Sequence, residues 1–85
     1  MAMFTQPDTH DADNRPASEE RLIFARNFRK ARKAANLTQR AVNDKTGFAQ
    51  SWISEVETGQ SSINIDNMAI LAKLVNVPLW QLLVP

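Results

Sequence analysis

The run from Gln50 to Glu57, QSWISEVE, divides cleanly by chemistry. Trp52, Ile53 and Val56 recur at helical spacing, and the positions between them carry short or planar hydrogen-bonding groups: Gln50, Ser51, Ser54 and Glu55. Side chains of this kind suit the reading of flat polar edges. A glutamine offers a donor and an acceptor side by side and can bond adenine N6 and N7 together, whereas a serine hydroxyl donates or accepts and so specifies less. A carboxylate at Glu55 can accept from cytosine N4. Catalysis has far less to draw on. The chain has no cysteine, its one histidine is His10 among polar residues, and it has no glycine-rich loop to cradle a phosphate. Glu55 and Glu57 are two apart on a helix and do not face each other. Neither an enzyme, nor a metal site, nor a cofactor is expected.

These groups need a frame to present them, and the preceding residues supply one. Thr38 is a good helix N-cap, Ala41 and Val42 give a short helix a small apolar side, and Gly47 falls where that helix must stop. The second helix begins near Ala49 and closes at Gly59. Two short helices joined by a glycine-containing turn make a helix-turn-helix, whose second helix is built to enter the DNA major groove with its N-terminal residues at the base edges.

The ordered set Leu37-Thr38-Gln39, Gly47-Phe48, Gln50 to Ser54, Glu57 and Gly59, continuing into Ile65 to Leu74 and Val77 to Leu83, resembles the lambda-repressor/Cro-like (XRE) DNA-binding family. The resemblance runs without a gap from about Phe24 to Leu83. It implies an all-α, five-helix domain over residues 18–85, preceded by an N-terminal arm at 1–17. It also implies double-stranded DNA as partner, a homodimer on a palindromic operator, and a regulator of transcription, a repressor in the first instance. Antitoxins, each with its toxin as protein partner, and restriction–modification controllers belong to the same family. Base reading falls to Gln50, Ser51, Ser54 and Glu55. Contacts to the DNA backbone fall to Arg32, Thr38, Gln39, Arg40, Trp52, Gln60, Ser61 and Ser62. By the same resemblance Gln39 opens the second helix against a phosphate, and Arg32 pairs with Glu57 while touching the backbone.

Three positions depart from the family pattern. Glu55 stands where many relatives have a polar or basic group, so it either reads a cytosine or makes an intramolecular ion pair. Asn43 replaces a usual alanine where the two helices cross, and buried there it must find a partner or cost roughly 1–3 kcal/mol. Trp52 either packs into the core, the favoured reading, or donates its indole N–H to a phosphate. The loop Gln60-Ser61-Ser62 is neutral where relatives often carry Lys or Arg.

Net charge is only +1, but it is unevenly spread. Residues 1–13 sum to −3, residues 14–50 to +6 and residues 51–85 to −2. A basic middle segment is the electrostatic footprint of phosphate binding. The alternative is a helix bundle that binds another protein and has lost specific DNA binding; the low net charge, Glu55 and the neutral loop favour it. At 85 residues there is room for one small domain, whose core is marginal and gains from dimerisation. The absence of cysteine fits a reducing cytosol, and no apolar run reaches membrane-spanning length.

The remaining elements follow from caps and periodicity. Ser18 caps a first helix with Leu22, Ile23, Ala25, Phe28, Ala31 and Ala35 on its apolar side, ended by Asn36. Upstream, Asn14 and Arg15 can reach a DNA groove, but Asp8, Asp11 and Asp13 oppose that and favour an acidic leader. Asn64 caps a fourth helix with Ile65, Met68, Ala69, Leu71, Ala72 and Val75 inward, and Pro78 opens a last one. That last helix is more apolar than one small domain readily hides, which assigns Trp80, Leu83 and Val84 to a two-fold interface.

Overall fold

The computed structural model describes residues 16–85, so the reading of 1–17 as an arm, with Asn14 and Arg15, lies almost wholly outside the described residues. Five helices and no strand occur among them: α1 Glu19–Ala34, α2 Gln39–Thr46, α3 Gln50–Glu57, α4 Ile65–Leu74 and α5 Leu79–Leu82. None is long and apolar enough to cross a membrane.

The local signals act where the sequence puts them. Ser18 Oγ accepts from the Arg21 amide, Thr38 Oγ1 from that of Ala41, and Asn64 Oδ1 from that of Asn67. Each satisfies an amide that has no partner within its own helix. Glu19 and Glu20 stand in the first turn of α1, and Arg32 and Lys33 in its last, in line with the helix dipole. Asn36 and Asn76 end α1 and α4 with φ of 60° and 62°, a left-handed geometry that asparagine tolerates.

Gly47 ends α2 with φ of 81° and turns the chain into α3. A methyl group there would meet nothing within 4 Å, so an alanine strains only the backbone. Gly47→Ala is expected to cost about 1–2 kcal/mol, the penalty of left-handed geometry for an L-residue. Urea unfolding would show it as a lower midpoint with unchanged slope.

α1 lies across the others and supplies much of the core. Phe24 and Phe28 are fully buried and stacked, 5.9 Å between ring centroids, with Val42, Ile53, Val56, Leu71, Ala72, Val75 and Leu82 around them. The ends of the chain are tied by two side chains that periodicity does not single out. Arg21 donates twice to the Gly59 carbonyl, at 2.9 and 2.6 Å, and Asn27 Nδ2 donates to the carbonyls of Leu82 and Val84. Arg21 thereby anchors the end of α3, and Asn27 the end of α5.

Some apolar residues are less covered than their spacing suggests. Ile65 is 65% exposed and Ala69 is exposed, not inward. The covered arc of α4 is Met68, Leu71, Ala72 and Val75; Ile65 and Ala69 lie about 70° and 110° from its centre on an ideal helix. Leu22 is half open and rests over Gly59, and Ala35 falls at the exposed cap of α1.

Candidate nucleic-acid interface

α2, the turn Gly47-Phe48-Ala49 and α3 form a helix-turn-helix. The turn is held from both sides. Asn43 Nδ2 donates to the Phe48 carbonyl at 2.7 Å, which supplies the partner this half-buried amide requires, and the Phe48 amide donates to Thr46 Oγ1 at 3.1 Å. Phe48 and Trp52 pack at a tilt with centroids 5.0 Å apart. Trp52 is therefore half-buried against the core, and only part of its ring is free to meet a ligand.

α3 is buried along Ile53, Val56 and Glu57. Gln50, Ser51, Glu55 and Thr58 are exposed on its opposite face, and Ser54 is half-exposed between them. α3 also differs from α1, α2 and α4 at its start: its N-cap is Ala49, which offers no side-chain acceptor. Gln50 and Ser51 thus project beside first-turn amides that carry no side-chain cap.

Beneath this face lies a buried ionic cluster. Arg32 Nε and Nη2 donate to the two carboxylate oxygens of Glu57 at 2.6 and 2.9 Å, a bidentate pair. Arg32 Nη1 donates to the Leu37 carbonyl at 2.7 Å, and Gln39 Nε2 donates to Glu57 Oε1 at 3.1 Å. One carboxylate therefore fixes the end of α1, the start of α2 and the end of α3 relative to each other. The expected pairing of Arg32 with Glu57 is present. The same burial turns the guanidinium inward, which corrects its assignment as a free backbone contact. Gln39 is half-buried, Thr38 spends its hydroxyl on the cap, and Arg40 is exposed in the first turn of α2.

On the other flank of α3 the loop is closed by Glu55 and Ser61. Ser61 Oγ donates to Glu55 Oε1 at 2.6 Å, and the amides of Gln60 and Ser61 donate to the Glu55 carbonyl at 2.8 and 3.3 Å. Glu55 is held by a hydroxyl and not by a cation; among the described residues the ion pairs both fall on Glu57, from Arg32 and, at 4.0 Å, from Arg29. Ser61 is buried, so its hydroxyl serves the loop, while Gln60 and Ser62 remain exposed. Nothing in a polar loop marks one serine of two as the buried one; only the return of the chain after Gly59 decides it. These groups line a groove of about 1000 Å³ between the turn and the α3–α4 loop, in which the one charged side chain is Glu55.

Trp80 is 65% exposed and Val84 48%, whereas Leu83 is half-buried against the domain's own core. The three assigned interface residues thus divide, two outward and one inward.

A family model described as helix-turn-helix matches residues 28–79, from the middle of α1 to the start of α5. The chain belongs to this helix-turn-helix family. Among its relatives is a protein of Sinorhizobium fredii described as an uncharacterized HTH-type transcriptional regulator, y4dJ. It is 29% identical over 65 residues, which are 76% of this chain and 84% of that one. The crystal structure of the hypothetical transcription factor NHTF from Neisseria superposes with a TM-score of 0.74 at 25% identity, covering 84% of this chain and 82% of its own. The restriction-modification controller protein C.AhdI from Aeromonas hydrophila gives 0.69 at 25% identity, over 76% and 98%. The five helices of this helix-turn-helix protein have the all-α architecture of XRE-type regulators. Its family is one of DNA-binding transcription regulators and not of enzymes.

Proposed function

We propose that this protein binds double-stranded DNA at a specific palindromic site as a homodimer and represses transcription there. Each subunit would place α3 in a major groove, the two half-sites about one helical turn apart. The observation that carries this is the face of α3, where Gln50, Ser51 and Glu55 stand exposed from an N-terminus without a side-chain cap. Gln50 reads an adenine, Ser51 and Ser54 accept or donate with less selectivity, and Glu55 accepts from a cytosine with the carboxylate oxygen that Ser61 does not hold.

The backbone contacts divide between those that touch and those that position. Thr38, Gln39 and Arg40 meet one strand at the start of α2, where first-turn amides favour an anion. Gln60, Ser62 and the rim of Trp52 meet the other, across the groove they line. Arg32 and Ser61 act as positioning residues, the one through Glu57 and the other through Glu55. Trp80 and Val84 form the two-fold contact, with Leu83 supporting them from below. Control of a restriction–modification system, the role that C.AhdI's description gives it, and an antitoxin role are variants of this same chemistry.

Selection of sites from random duplex DNA at moderate salt, repeated with Gln50→Ala and Ser51→Ala, tests the proposal. The wild-type chain is expected to recover a palindrome. Gln50→Ala should lose preference at one position per half-site by about 1–3 kcal/mol, the discrimination a bidentate contact supplies. Salt-sensitive binding without any enriched sequence would instead favour the protein-interaction module, to which the neutral Gln60–Ser62 loop and Glu55 lend support.

A further inference from the structure

We infer that the cationic stripe on α1 is a second phosphate track, carrying the DNA backbone past the C-terminal end of α3 and outside the bases that α3 reads. The inference rests on the proposed DNA-binding reading and adds to it a surface on a different helix.

Arg26, Arg29, Lys30 and Lys33 are all exposed on α1. On an ideal helix they fall within an arc of about 100°, a single stripe roughly 10 Å long. They line a groove of about 520 Å³ whose far wall is Glu57 and Thr58 at the end of α3. Thr58 also belongs to the exposed face of α3, so the groove opens directly from the surface proposed to enter the major groove. A strand leaving that surface would meet the stripe next.

The electrostatics agree. The single carboxylate lining the groove, Glu57, is buried and directed at Arg32 and Gln39, and the stripe reaches it only through Arg29 at 4.0 Å. Arg26, Lys30 and Lys33 thus face a groove whose one anion is already engaged. On the opposite flank of α3 the corresponding groove holds no cation at all, only Glu55 with neutral Gln60 and Ser62. A DNA-binding protein draws a large share of its affinity from phosphate neutralisation, and this chain has moved that share from the α3–α4 loop to α1. A stripe of roughly 10 Å spans about three nucleotide steps of one strand at ~3.4 Å each, which matches three available cations.

The experiment compares the full chain with Arg26→Gln/Lys30→Gln/Lys33→Gln on two duplexes carrying the selected site. One duplex ends at the recognised bases, and the other extends about ten base pairs beyond them on each side. The three residues are exposed and outside the buried cluster, so folding should be retained, and circular dichroism checks this. On the extended duplex the variant's slope of log affinity against log salt is expected to be shallower by about 2–3 per subunit, near 0.9 for each phosphate released. On the short duplex the two proteins should coincide, and the selected sequence should not change. An unchanged slope on the extended duplex overturns the inference, as does an equal loss on both duplexes, which would place the cations at the recognised bases. Unchanged DNA binding with lost binding to a poly-aspartate peptide also overturns it and assigns the groove to an acidic protein segment. A wild-type chain that binds neither duplex fails differently, since that removes the DNA-binding reading itself.

Discussion

Glu57→Ala is expected to destabilise the domain by about 3–5 kcal/mol, the cost of stranding a buried charge when its partner is removed. The side chain of Arg32 is 9% exposed and that of Glu57 only 1%, so water cannot replace the lost carboxylate without opening the core. Three donors, Arg32 Nε, Arg32 Nη2 and Gln39 Nε2, lose their acceptor together. A small domain has perhaps ~0.05–0.15 kcal/mol of stability per residue, so a loss of this size approaches the whole. Urea unfolding of Glu57→Ala and of the apolar double variant Arg32→Met/Glu57→Leu separates two accounts of the cluster. The double variant should keep most of the wild-type stability, because desolvating two charges offsets much of their attraction. DNA binding should suffer in both, since Gln39 and the end of α3 are no longer tied to one carboxylate. A midpoint for Glu57→Ala close to wild type would show that the pair is not buried in solution as it is here.

Phe28→Ala is expected to cost about as much, roughly 3–5 kcal/mol, by a different route. Phe28 is fully buried, and its ring lies 4° from parallel with that of Phe24. Truncation loses the transfer energy of the ring, leaves a cavity that α1 cannot close by itself, and removes an aromatic pair. Because α1 packs against both α3 and α5, collapse into the cavity would tilt the recognition helix. Thermal unfolding followed at 222 nm reads the loss directly. A fall of under about 1 kcal/mol would mean that the core repacks freely, at odds with the close packing of protein interiors.

How far the sequence reaches varies with the kind of interaction. Caps are local, and Ser18, Thr38 and Asn64 each accept from the amide three residues on. Gly47 and Asn36 likewise adopt the left-handed geometry that their types permit. The pairing of Arg32 with Glu57 came from family resemblance, since two residues 25 apart carry no periodic signal. Glu55 shows the opposite case. An ion pair or a cytosine were the readings open to it, yet a serine six residues later, buried by the return of the loop, holds its carboxylate. Ile65 misleads because periodicity fixes the direction of a side chain but not where the neighbouring helices end.

The sequence by itself determined the five helices, their caps and the face of α3 that carries Gln50, Ser51 and Glu55. Those follow from backbone geometry and hydrophobic spacing within a few residues, the shortest-range terms in folding. The tertiary structure decided which polar groups are free to meet a ligand. It turned Arg32 and Ser61 inward and held Glu55, and it set the α1 cations beside the end of α3. Burial and ion pairing depend on distances between segments far apart in the chain, and only the packed fold sets those distances.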